Sequence, residues 1–196
     1  MERADLSKSL RRVPELMRTF PAPWCVAGGW ALDLFLGRVT RDHADAELAI
    51  FRNDQALLHR HLRGWTLEKV IEGRRLRWSV DEQLELPVHE IHARPLDEPD
   101  LAIEVLLNER TADQWVYRRD PHVQRPISRA ILTSDVGYPI LCPEIVVLYK
   151  SKSPRPKDEG DFMIVRGAMD TEQRAWLRVA LQTCQPEHPW LGALPC

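Results

Sequence analysis

Four cysteines are scattered over 196 residues, at 25, 142, 184 and 196, with no Cys-x-x-Cys pair among them. A zinc ribbon or a dithiol redox motif is therefore not expected, and reduced thiols are the plain reading. Long hydrophobic runs are also missing, since no apolar stretch approaches the roughly 18 residues a membrane helix needs. The opening segment MERADLSKSLRRVPEL lacks the apolar core of a secretory leader, so a cytoplasmic protein is expected. Excess positive charge is absent too. The formal net charge is -2, which argues against a nucleic-acid binder relying on a basic surface. Neither a G-x-S-x-G elbow nor a Walker loop occurs, so serine-hydrolase and P-loop kinase readings find no support.

What remains is an ordinary composition, 44% hydrophobic and 29% charged, on a chain long enough to bury a core without staples. Apolar residues recur at helical spacing from Leu6 to Phe20, with Pro14 inside the stretch predicting a kink or two shorter pieces. WCVA (24–27) reads as a short strand, ended by Gly28-Gly29. WALDLFLG reads as a helix closed by Gly37, and AELAIF (46–51) as the next strand. A helix capped by Asn53 or Asp54 follows. TLEKVI, RLRWSV, LPVHEIHA and LAIEVLL then alternate as short strands, and QWVYRR and HVQRPI suggest a hairpin about Asp120-Pro121. After Tyr138 three helices are expected, the first with Pro143 in its opening turn and the last capped by Thr171. The chain thus reads as an α+β core over 1–137 and a C-terminal helical segment over 138–196, with the seam near 135–143.

Three features carry chemistry. The Gly28-Gly29 pair between strand and helix lets the backbone approach a ligand, and the helix N-terminus behind it suits phosphate. On its own such a pair is an ordinary turn. Asp45 and Glu47 lie two apart on a strand, so they share a face and can grip one hard cation; a solvated acidic edge is the bland alternative. Glu104 interrupts LAIEVLL, where a lone carboxylate needs a metal or a basic partner. HEIH (89–92) and HRH (59–61) do not offer the His-Glu-x-x-His helix of a zinc protease.

In combination these features resemble the nucleotidyltransferase superfamily, whose order is apolar-Gly-Gly, helix, Asp-x-Asp/Glu in a strand, then a third carboxylate in a later strand. Here the order reads VAGGW, DAEL and IEV. GGWALDLFLGRVTRDHADAELAIFRND, LLNE and VLYKSKSPRPKDEGDF are more narrowly similar to the aminoglycoside and lincosamide nucleotidyltransferases, over roughly residues 16–190. Glutamate stands at positions 47 and 104, where relatives carry aspartate.

The resemblance implies a mixed β-sheet nucleotidyltransferase core with flanking helices. It implies Mg2+-dependent transfer of AMP from ATP, or of another nucleoside monophosphate from its triphosphate, to a hydroxyl of a small acceptor such as an aminoglycoside or lincosamide. Asp45, Glu47 and Glu104 would hold one or two Mg2+ ions, with Glu104 as base or shared ligand. Gly28 and Gly29 would cradle the phosphates. Arg41 and His43 would line the nucleotide side, and Lys150, in preference to Lys152, would reach the triphosphate. An Asp45 hydrogen bond is the competing role for His43. Asp158 is expected to cap the second of the three C-terminal helices, with Asp161 in its first turn. The acidic clusters at Asp81, Glu82, Glu85, Asp97, Glu98 and Asp100 would suit a cationic acceptor. Two alternatives stay open: a nucleotidyltransferase acting on a protein or tRNA in toxin–antitoxin fashion, and a nucleotide-binding module with little turnover.

Overall fold

The structure, a computed structural model, describes residues 1, 5–98 and 101–194. Asp100 and Cys196 lie outside them. Helix α1 (Lys8–Met17) starts where the Ser7 hydroxyl accepts from the Leu10 amide, and it buries Leu10, Val13 and Met17. The expected break at Pro14 is not seen, and one helix continues through it. Proline has no N–H to offer the Leu10 carbonyl. The buried Tyr138 hydroxyl donates to that carbonyl instead, at 3.4 Å.

Strand β1 (Trp24–Val26), helix α2 (Gly28–Leu36), strand β2 (Ala46–Phe51) and helix α3 (Gln55–His61) follow. Gly37 closes α2 in the left-handed conformation, as its sequence position predicts. Asp54 is the α3 cap residue, but its side chain makes no cap bond; it faces Arg110 at 3.6 Å. Next come β3 (Trp65–Ile71), β4 (Arg74–Arg77), β5 (Glu90–Pro95), β6 (Ile103–Thr111) and the hairpin β7 (Gln114–Val116) and β8 (Gln124–Pro126). A helical turn, α4 (Ile127–Ala130), leads to β9 (Ile131–Thr133) and β10 (Pro139–Leu141).

The strands form one mixed sheet in the order β4-β3-β5-β6-β2-β1-β10-β9, with β7 attached to β6 and to β8. Two pairings are parallel, β2 with β6 and β1 with β10; the rest are antiparallel. Ile103, Val105 and Leu107 alternate along β6 and are almost wholly buried, while Glu104 and Leu106 between them are half-exposed. That period of two gives β6 one packed face and one more exposed face.

The seam expected at residue 138 falls just before β10, which belongs to the sheet. The helical part then runs through α5 (Pro143–Lys150), α6 (Pro156–Val165) and α7 (Thr171–Cys184). Asp170, not Thr171, caps α7: its side chain accepts from the Gln173 amide while Gln173 reaches back to the Asp170 amide. Leu148, Phe162, Leu177 and Leu181 join the same apolar cluster as Val26, Leu48 and Val105, so these helices pack on the sheet. A buried ion pair latches the two parts, with Arg125 of β8 on Glu144 of α5 at 2.6 Å and Gln173 of α7 donating to the same carboxylate.

Candidate active site

The turn between β1 and α2 is fastened to β2 at the position that matters. The Ala27 amide donates to the Glu47 carbonyl at 2.8 Å. Gly28 then takes a φ of 59°, and a Cβ there would overlap the Glu47 carboxylate. Glycine is therefore required twice, for its backbone conformation and for the side chain lying against it. Gly29 is crowded from the other side, since a Cβ on it would strike the His43 ring and the Arg41 guanidinium.

Those two side chains are placed by partners absent from the sequence argument. His43 contacts Asp33 at 2.6 Å, not Asp45, and packs on Trp30 with ring centroids 4.5 Å apart. Asp33 is wholly buried and also accepts from Thr40. Arg41 makes two bonds of 2.9 Å to Asp161. Neither Arg41 nor His43 lines the cleft; both stand behind Gly29 and fix its position. Asp161 is not in the first turn of α6 but further along it, as the Arg41 partner. Asp158, at the third position, does accept from the Arg155 amide and closes the helix start.

The parallel register pairs Glu47 directly with Glu104. Asp45 stands exposed just ahead of β2, on the Glu47 side by the period of two. Burial first, then the charges of Glu47 and Asp45, pushes the Glu104 carboxyl up to about 7. No cation lies within ion-pair distance of Asp45 or Glu47 among the described residues. The Glu47 carboxylate leans on Gly28, and that of Glu104 turns the other way, towards His92 at 3.5 Å. Like charges on adjacent strands repel, which accounts for the splay.

The polar row continues across the sheet. Glu47, Glu104, His92 and Glu68 are successive register partners on β2, β6, β5 and β3. His92 is buried and also meets Glu90 at 2.7 Å. Glu90, His92 and Glu104 are, among the described residues, the one trio of ligand-type side chains whose atoms lie within 4.8 Å of each other. The alternation in HEIH was the available signal, because it puts Glu90 and His92 on one strand face. His59 and His61 are elsewhere, against the carbonyls of Trp78 and Leu16.

A cavity of about 450 Å3 opens between this sheet face and the C-terminal helices. Gly28, Glu47, Lys150 and Lys152 line it. Lys150 bonds Asp158 at 2.8 Å and Asp161 at 3.0 Å, whereas exposed Lys152 has no carboxylate partner among the described residues. None of Asp81, Glu82, Glu85, Asp97 or Glu98 lines the cavity; Glu82 pairs with Lys69 and Glu98 with Arg12. Hard carboxylate oxygens, those of Asp45 and Glu47 without a cationic partner among the described residues and that of Glu104 beside His92, form a donor set that suits Mg2+.

Set beside known proteins, residues 9–136 match the family model described as aminoglycoside-2''-adenylyltransferase. No curated protein sequence matches the chain. Among solved structures, ANT(2'')-Ia in complex with adenylyl-2''-tobramycin is similar with a TM-score of 0.60 at 15% identity, over 89% of this chain and 95% of that one. The lincomycin-bound lincosamide adenylyltransferase LnuA is similar with a TM-score of 0.58 at 14% identity, over 84% and 98%. A solution structure of ANT(2'')-Ia gives 0.59 at 18% identity, over 91% of each chain. At such identities the structural likeness speaks for the fold, a mixed-sheet nucleotidyltransferase core.

Proposed function

The chain belongs to the aminoglycoside-2''-adenylyltransferase family, and from that premise we propose that it transfers AMP from ATP to a hydroxyl of a small-molecule acceptor, with aminoglycosides and lincosamides as the first acceptors to test. The observation that carries the proposal is the placement of Glu47, in contact with Gly28 and in register with Glu104.

Asp45, Glu47 and Glu104 are the proposed metal ligands, and Mg2+ bound there would neutralise charge on the triphosphate. The Gly28-Gly29 backbone and the α2 N-terminus would face the phosphates. Arg41 and His43 would act through Gly29, keeping the turn closed. Lys150, steadied by Asp158 and Asp161, and the exposed Lys152 would supply positive charge from the helical side. Glu104, half-buried between Glu47 and His92, is the proposed acceptor of the hydroxyl proton. Residues 1–137 would then hold nucleotide and metal, and 138–196 would close the cleft. Among the described residues no helix is long and apolar enough to cross a membrane. A cytoplasmic location and a small-molecule acceptor in place of nucleic acid are part of the same proposal.

The test has two readouts. ATP with Mg2+ should raise the melting temperature, and Asp45→Ala should lose most of that gain. Pyrophosphate should appear when an accepting hydroxyl is supplied. If the Asp45→Ala shift equals that of wild type, the site is misplaced; if nucleotide binds but no acceptor yields pyrophosphate, a binding module is favoured.

A further inference from the structure

Along the polar row from β2 to β5, oxygen gives way to nitrogen. Glu47 leans on Gly28, while Glu104 turns to the imidazole of His92. That ring is buried, and both of its nitrogens face carboxylates. The two contacts differ in kind. Nε2 lies 2.7 Å from Glu90 Oε1, at hydrogen-bond distance. An ionised carboxylate can only accept, so the proton of the neutral ring is assigned to Nε2. The Nδ1 lone pair is left turned towards Glu104 Oε1, at 3.5 Å.

That gap is wide for a hydrogen bond, whose ordinary length ends at about 3.2 Å. It suits two ligands of one ion, since atoms bound at about 2.1 Å in tetrahedral geometry stand about 3.4 Å apart. Glu90 supplies the support that metal-binding histidines commonly have, a carboxylate on the far nitrogen that fixes the tautomer and the ring plane. Strand pairing holds the arrangement in place. His92 and Glu104 are direct register partners, and Glu90 stands two residues from His92 on the same strand face. Among the described residues no lysine or arginine lies within 4.0 Å of Glu104, and no hydrogen bond reaches its carboxylate. Access is open, because Glu47 and Glu90, on either side of the pair, line the cavity.

We infer that His92 Nδ1 and Glu104 Oε1 form a second cation site, apart from that of Asp45 and Glu47, which takes a divalent ion that accepts nitrogen, such as Zn2+ or Co2+, in preference to Mg2+. Magnesium is held by oxygen and gains nothing from an imidazole, whereas zinc and cobalt bind one well. The remaining positions on the ion fall to water or to a ligand in the cavity. A carboxylate has two oxygens, so Glu104 keeps Oε2 for the hydroxyl proton. The splay of Glu47 and Glu104 then serves two ions of different character. Such an ion would bind the free protein, so the site goes beyond the nucleotidyl-transfer reading and stands without it.

The test titrates Co2+ into the full chain without nucleotide, in a large excess of Mg2+ that fills oxygen-only sites, and follows the visible absorption of bound cobalt. Wild type should give a saturable signal that Zn2+ displaces and further Mg2+ does not. His92→Phe should abolish it. Glu90→Ala leaves both ligand atoms in place but frees the ring, and should weaken Co2+ binding by about 10- to 100-fold. Asp45→Ala should leave the signal in place. Absence of a saturable signal in wild type, its survival in His92→Phe, its displacement by Mg2+, or its loss in Asp45→Ala each overturns the inference. If His92→Phe shows no cooperative thermal transition, Glu90→Ala decides, and wild-type affinity in that variant overturns the inference as well. A failure of the nucleotidyl-transfer reading looks different: ATP with Mg2+ gives no thermal shift in wild type, while the cobalt titration still reports on His92.

Discussion

Under α6, Lys150 touches both Asp158 and Asp161, Arg41 grips Asp161 from the other side, and Arg125 meets Glu144 in the latch to β8. Across the cleft, Glu47 and Glu104 stand side by side with Asp45 ahead of them, and His92 is the one basic group within 4.0 Å of Glu104 among the described residues. On the helical wall each buried charge is matched. On the sheet wall charges of one sign are crowded. Asp158 and Glu104 accordingly move in opposite directions, although burial raises the Glu144 carboxyl in spite of its Arg125 partner. Burial alone would raise Asp158, but the bonds from Arg155 and Lys150 overcome it and hold that carboxyl well below the usual range. Glu104 has no such compensation and is pushed up to about 7. Matched charges hold a structure together, whereas crowded like charges cost stability and persist where a ligand relieves them.

That contrast predicts which substitutions harm activity and which harm folding. The largest effect is expected at Asp45 and Glu47. Asp45→Asn or Glu47→Gln should lower pyrophosphate release by about 100-fold or more, while the melting temperature stays level or rises. A matching loss of stability would remove the distinction between the walls.

Second comes the latch. Arg125→Ala leaves Glu144 buried without its partner and should cost about 3–5 kcal/mol, read from denaturant midpoints. Replacing both residues with apolar side chains of similar volume should recover most of that cost. If the double variant is as unstable as the single one, packing and not the charge pair holds the seam.

Gly28→Ala should be intermediate and harm both properties. The left-handed backbone and the displaced Glu47 carboxylate together should cost about 1–3 kcal/mol, and metal-dependent nucleotide stabilisation should fall with it. Glu47→Gly on the Gly28→Ala background removes the clash but not the backbone strain, so only part of the stability should return.

The smallest effect concerns pH. Glu104 binds its proton more tightly in the folded chain than in the unfolded one, because its folded value is raised above 4.5 to about 7. Its contribution therefore turns unfavourable as pH rises through that window, and metal-free protein should lose stability between about 4.5 and 7. Asp158 and Asp161 act with the opposite sign, since lowered carboxyls lose their contribution only in acid. Glu104→Gln should flatten the neutral limb and leave the acid limb intact, as thermal melts at graded pH would report. An unchanged neutral limb would assign it to another group.

Much of this was legible from local pattern. The alternation in AELAIF and LAIEVLL fixed two strands and the faces of Glu47 and Glu104, because a strand's period of two leaves no choice of side. Gly28 and Gly37 announced the two backbone reversals around α2. What was not legible came from partners distant in the chain. Pro14 sits within one helix because Tyr138 reaches the orphaned carbonyl. His43 turned to Asp33 and Arg41 to Asp161, beside Gly29, partners that nothing in the local pattern announces. His92 became a neighbour of Glu104 through strand pairing, and Arg118 faced a cleft that exists only once α5 packs on the sheet.

The sequence alone determined the order of the elements, the double-glycine turn and the three acidic positions, because backbone conformation and side-chain alternation are set by near neighbours. Tertiary structure alone decided which charges are matched and which are left facing one another. Coulombic and hydrogen-bond energies depend on distance through space and on exclusion of water, and neither quantity is written along the chain.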